Sequence, residues 1–121
     1  MDFEKVYNEF IFWLNGLIED DPIPFEIKSL VFFVNKNYEI GFSGSEEEYV
    51  KIVDFYFYFP LEGEYFYCKD LYEYIYSKKD RKKTSLWVLK NLLNRLKYDN
   101  YFKKFKYFYG WLYDITKKLE K

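Results

Sequence analysis

Apolar residues recur at helical spacing along the first stretch of the chain. Phe3, Tyr7, Phe10, Leu14 and Leu17 follow one another at intervals of four and three, which sets them on one stripe of a helix. Val6, Ile11, Trp13 and Ile18 widen the stripe, so a helix is expected over residues 3–18. Asp2 suits its N-cap, and Asp2 and Glu4 suit the positive end of the helix dipole. Asp20, Asp21 and Pro22 close it, because a residue before proline disfavours the helical region. Ile23-Pro24 then reads as a stiff connector.

The period now changes. Residues 25–34 read as a strand with Leu30-Val31-Phe32-Phe33-Val34 as its buried end. Asn35-Lys36-Asn37 is a turn signal, since Asn tolerates positive φ. Tyr38, Ile40 and Phe42 alternate with Glu39, Gly41 and Ser43, the period-two pattern of a half-buried strand that closes a hairpin. After a second turn at Ser43-Gly44-Ser45, residues 49–59 read as a longer strand. Val53, Phe55, Phe57 and Phe59 share one of its faces, Ile52, Asp54, Tyr56 and Tyr58 the other, and Pro60 stops it. A loop around Gly63 spans residues 61–65. The aromatic run over residues 54–67 is an edge-pairing hazard wherever it is uncovered.

Residues 66–77 suit helix or strand; Asp70 and Glu73, which resemble a capping pair, favour helix. Residues 78–83 form a charged connector, and Thr84 or Ser85 caps a helix bearing Leu86, Leu89, Leu93 and Leu96. Tyr98-Asp99-Asn100 interrupts it. A final helix is expected from Tyr101, Phe105, Phe108, Leu112, Ile115 and Leu119, again at spacings of four and three. No repeat or interior linker divides the chain. The pattern predicts one α+β domain over residues 1–121: an N-terminal helix, a three-stranded antiparallel meander, then two to three C-terminal helices packed on one face of the sheet.

Composition sharpens this. Half of the 121 residues are hydrophobic and 26% are aromatic, too apolar for disorder. Ala, Gln and His are absent, and there are two Arg against 17 Lys. The excess of Phe, Tyr, Lys, Asn and Ile follows A/T-rich codons, so each Tyr need not have a ligand. Without Ala, the helices must draw their stability from packing of apolar faces. The single cysteine, Cys68, allows no intrachain disulfide and suits a reducing compartment. The apolar segment of residues 10–18 lacks the positive flank and small-residue cleavage site of a secretory signal. No apolar run reaches the ~20 residues that span a bilayer. A soluble cytoplasmic protein is expected.

Charge is segregated along the chain. Residues 1–76 hold 16 acidic and five basic side chains, net −11, whereas residues 77–121 hold 14 basic and four acidic, net +10. Catalytic chemistry is poorly supplied. Without histidine there is no Ser-His, Cys-His or histidine-zinc arrangement. Cys68, with only Lys69 beside it, reads as a small hydrophobe rather than a nucleophile. Glu19, Asp20 and Asp21, and Glu46, Glu47 and Glu48, form two acidic clusters that would hold Mg²⁺ or Ca²⁺ only by meeting. Consecutive side chains diverge, so solvated turns and no metal are the expectation. Ser43-Gly44-Ser45 lacks a phosphate-loop pattern and precedes three negative charges.

Two functional readings follow. The leading one is a non-enzymatic interaction protein with no cofactor, bound to another protein or to a second copy of itself. Its acidic surface, at Glu19, Asp20, Asp21, Glu46, Glu47 and Glu48, would serve as it does in small inhibitors, antitoxins or immunity proteins. The alternative is a single-stranded RNA or DNA binder using Lys78, Lys79, Arg81, Lys82 and Lys83, with Lys103, Lys104, Tyr107 and Trp111. On the expected final helix, Lys103, Lys104 and Lys106 lie off the aromatic stripe, and only Tyr107 and Trp111 share their side. A carboxylate-dependent hydrolase stands third.

Overall fold

Asp2 turns the chain into its first helix, α1 (Phe3–Asp20), by accepting the Lys5 N–H at 3.3 Å. The computed structural model describes residues 1–48 and 65–112. Val6, Tyr7, Phe10 and Leu14 of α1 are buried, as the stripe requires, and the Asp21 N–H closes on the Leu17 carbonyl just before Pro22. Among the described residues no helix is long and apolar enough to cross a membrane.

The hairpin forms from β1 (Ser29–Val34) and β2 (Ile40–Ser45), antiparallel, with Ser29 opposite Ser45 and Val34 opposite Ile40. Asn35 organises its turn: the side-chain oxygen accepts the N–H groups of Asn37 and Glu39, and the amide nitrogen donates to the Glu39 carboxylate. Positive φ falls on Tyr38, at 60°, not on an asparagine. The Tyr38 ring meets Tyr76 edge-on at 5.7 Å, a tertiary contact that offsets the left-handed backbone.

Two helix starts and one element depart from expectation. The segment after residue 65 is helical, α2 (Lys69–Tyr76), but the Asp70–Glu73 capping pair is not made. Cys68 stands at the N-cap without a side-chain capping bond, and Asp70 pairs with Lys5 at 3.0 Å. The next helix, α3 (Arg81–Leu96), starts inside the expected connector because Asp80 caps it through the Lys83 N–H, so neither Thr84 nor Ser85 is the cap. The expected final helix is replaced, within the described residues, by a 3₁₀ turn (Phe102–Lys104) and a strand, β3 (Tyr107–Leu112). Tyr-Phe-Tyr-Gly-Trp-Leu is rich in strand formers, and Gly110 costs a helix stability. The four-and-three spacing of its aromatics was coincident with a helix stripe without being one.

β3 lies parallel to β1, so among the described residues the sheet is mixed, in the order β2-β1-β3, where the pattern predicts a third antiparallel strand from residues 49–59 and none from β3. The class is α+β, with a three-stranded sheet and three helices among the described residues. The strand expected over residues 49–59 and the end of the expected final helix lie outside the described residues, as do residues 61–64 of the expected loop.

The two sheet faces differ. Leu30, Phe32, Val34, Ile40 and Phe42 join one apolar core with buried residues of α1, α2 and α3, and Phe108 and Leu112 pack against it. Phe10 of α1 lies 5.8 Å from Phe32. Register places Ser29, Val31, Phe33, Gly41, Ser43, Ser45, Tyr107, Tyr109 and Trp111 on the opposite face. Ser29, Ser43 and Ser45 are buried there, and the Ser43 hydroxyl finds no hydrogen-bond partner among the described residues.

Candidate functional site

The close seat of α3 on β3 creates the site. Gly110 permits it: a Cβ there would stand 2.8 Å from Leu89 Cδ2 and 3.2 Å from Leu93 Cδ1. With Leu89 and Leu93 turned inward, the adjacent flank of α3 presents Lys90, Asn94 and Lys97 to solvent. Together with Leu93 they form one wall of a cleft of about 360 Å³; Lys106, Phe108, Tyr109, Gly110 and Trp111 form the other. The Tyr109 and Trp111 rings lie 5.9 Å apart at 35°, side by side on one face of the strand. Tyr109 is fixed from its tip, its hydroxyl donating to the Glu48 carbonyl at 2.6 Å.

Lys106 also lines a second cleft, of about 460 Å³, with Lys28, Lys104, Glu48, Tyr107 and an apolar floor of Ile23, Ile27 and Phe105. The Lys104 ammonium lies 4.2 Å from the Tyr101 ring centre and 5.3 Å from that of Phe105. No carboxylate among the described residues forms an ion pair with Lys28, Lys90, Lys97, Lys104 or Lys106. Five lysines without an ion pair among the described residues therefore line two clefts joined at Lys106, with the Glu48 carboxylate in one of them. The field reaches about 8 Å at physiological ionic strength, so this local charge matters more than the net −1 of the chain.

The α1 side handles charge differently. Glu4 and Arg95 form a two-pronged pair that links the acidic and basic parts of the chain, and Arg95 also lies 4.6 Å over the Tyr7 ring. The Arg95 hydrogen bond holds the Glu4 carboxyl below its ordinary range. Asp70 raises the Lys5 ammonium through a hydrogen bond and its charge. The Cys68 thiol donates to Glu9 at 2.9 Å; burial first, then that bond, pushes its pKa up and keeps it a thiol.

The expected site residues fall as follows. Glu19 and Asp20 end α1 and Asp21 follows it, while Glu46, Glu47 and Glu48 follow β2. The latter segment is tied down through its backbone: Ser29 donates to the carbonyls of Glu47 and Glu48, and Ser45 accepts the Glu47 N–H. The two acidic clusters share no cavity, and among the described residues no three acidic or cysteine groups converge to hold a metal. Lys78 and Lys79 sit between α2 and α3, and Arg81, Lys82 and Lys83 form the first turn of α3. Lys78 and Arg81 lie over the rings of Tyr74 and Tyr76, at 4.7 and 4.0 Å. Lys82 lines a small cavity with Lys36, Tyr38 and Leu112, whereas Lys104 and Tyr107 line one cleft and Trp111 another. Tyr107 and Trp111 do share a side, through strand alternation rather than a helix turn.

Sequence reasoning left out Lys28, Lys90, Lys97 and Tyr109, and set Lys106 aside. The spacing of Lys90, Asn94 and Lys97, four then three, marks one polar flank of α3. It becomes a cleft wall only once a strand, not a helix, runs beside it. Comparison with known protein families, curated proteins and solved structures finds no match.

Proposed function

We propose that this chain is a non-enzymatic binding module that holds single-stranded nucleic acid along the outer side of β3. The carrying observation is the run of five lysines through two clefts joined at Lys106, without an ion pair among the described residues, beside the Tyr109–Trp111 rings. Lysine ammoniums neutralise phosphates and release their counterions, and base rings stack on aromatic side chains at about 1–3 kcal/mol each. Lysine, unlike arginine, makes no planar fork for base edges, so binding that tolerates sequence is expected. The missing histidine and the buried, protonated Cys68 support a binding role over catalysis.

A single-tryptophan variant, Trp13→Phe with Trp87→Phe, reports on Trp111. Titration with a short single-stranded oligonucleotide should quench its fluorescence saturably, and an equal charge of polyglutamate should quench it far less. Equal responses to the two polyanions would reduce the site to a charge sink, and no response to either would remove it.

A further inference from the structure

The outer side of α1 carries a third cleft of opposite character. Phe12 projects from the helix away from the buried stripe and is 82% exposed. Tyr65, Phe66 and Tyr67, just before α2, face the same space of about 760 Å³, with Trp13 as a further wall. Trp13 and Phe66 stack into the core edge at 5.6 Å, which makes the floor rigid. Tyr67 is 55% exposed, so two large rings, Phe12 and Tyr67, face solvent along this cleft, while the Tyr65 ring lies edge-on against Phe33 at 5.8 Å.

The rim is acidic. Asp2, Glu4 and Glu9 line the cleft against a single cation, Lys5, and Lys5 is already paired with Asp70. Glu4 is matched by Arg95, and Lys5, paired with Asp70, also feels the charge of Glu9, so three carboxylates stand at the rim with one lysine that is already engaged. Exposed aromatic faces next to carboxylates are the chemistry that receives a guanidinium or ammonium group. The chain already makes such contacts at Tyr7 with Arg95 and at Tyr76 with Arg81.

We propose that this cleft docks a basic segment of a partner protein, with one arginine or lysine side chain against Phe12 and Tyr67 and its charge met by Asp2 and Glu9. The site is separate from the β3 clefts and shares no lining residue with them. It provides an acidic docking surface like the one expected from the sequence, at different residues.

The test uses the full chain carrying Trp87→Phe and Trp111→Phe, so that Trp13 alone reports. A capped tetra-arginine peptide should change its fluorescence saturably, and a tetra-citrulline peptide of the same shape without charge should not. Phe12→Ala should weaken binding by about fivefold or more, with the thermal midpoint unchanged because the ring is exposed. Asp2→Asn, which keeps a competent N-cap, should also weaken it. Equal binding of the two peptides, full affinity in Phe12→Ala, or no saturable response to tetra-arginine would each overturn the proposal. Lys90→Glu with Lys97→Glu should leave this response intact while damaging oligonucleotide binding, so the two sites stand or fall separately.

Discussion

Along α1, Glu4 clasps Arg95, Lys5 meets Asp70 and Glu9 accepts the Cys68 thiol. Along α3 and β3, Lys90, Lys97 and Lys106 meet no carboxylate among the described residues. The chain is therefore asymmetric twice over: in the sign of its charges and in whether they are answered within the fold. Among the described residues the Glu4–Arg95 pair joins acidic and basic parts, across the −11/+10 division. Exposed pairs contribute little, about 0–1 kcal/mol, and such a division costs the fold little either way. It sets the surface field.

Reversing the unanswered charges should have the largest effect. Lys90→Glu, Lys97→Glu and Lys106→Glu together should lower single-strand affinity at low salt by about two orders of magnitude or more. The thermal midpoint should barely move, since surface changes cost about 0.5 kcal/mol or less each. A collapsed midpoint would mean that these lysines serve the fold instead. Gly110→Ala tests the wall between helix and strand. Its methyl would push on Leu89 and Leu93, and chemical denaturation should report a loss of about 1–3 kcal/mol. Stability equal to the parent would mean that α3 can recede and the cleft has no fixed width.

Glu4→Gln probes the answered side. Because Glu4 is held below its ordinary range, its pairing stabilises the fold at and above the ordinary carboxyl range. That contribution disappears as pH falls through the lowered folded-state value. Thermal midpoints of parent and variant should differ most near neutral pH and converge in acid; parallel curves would show that the pair carries no linkage. The smallest effect is expected at Ser43→Ala, on the sheet face away from the helices. Removing a buried hydroxyl without a partner should be neutral or stabilising by up to about 1 kcal/mol. A clear loss of stability would show that the hydroxyl is answered after all.

Local pattern made much of the fold legible. The α1 stripe, the Asn35 turn, the hairpin and the leucines of α3 all follow from spacing and turn chemistry. The misreading at residues 107–112 has a physical cause: bulky aromatics fit a helix stripe and a strand equally, and pairing with β1 decides between them. The cap of α3 has three local candidates, and Asp80 takes the role over Thr84 and Ser85 because it stands three residues before Lys83 and accepts its N–H. The site was less legible than the fold. The conspicuous cluster from Lys78 to Lys83 is compact in sequence, yet it lies over α2 tyrosines and at the start of α3. The cleft lysines come from three separate stretches, at Lys28, at Lys90 and Lys97, and at Lys104 and Lys106, and only the parallel seat of β3 brings them together.

The most direct measurement is the salt dependence of single-strand binding for the parent and for Lys90→Gln, Lys97→Gln and Lys106→Gln combined. At about 0.7 per neutralised phosphate on single strands, five lysines give a log–log slope of roughly −3.5, and removing three lysines should flatten it by about 2. A slope near zero in the parent, or one that the triple substitution leaves unchanged, would contradict a polyanion seat along β3.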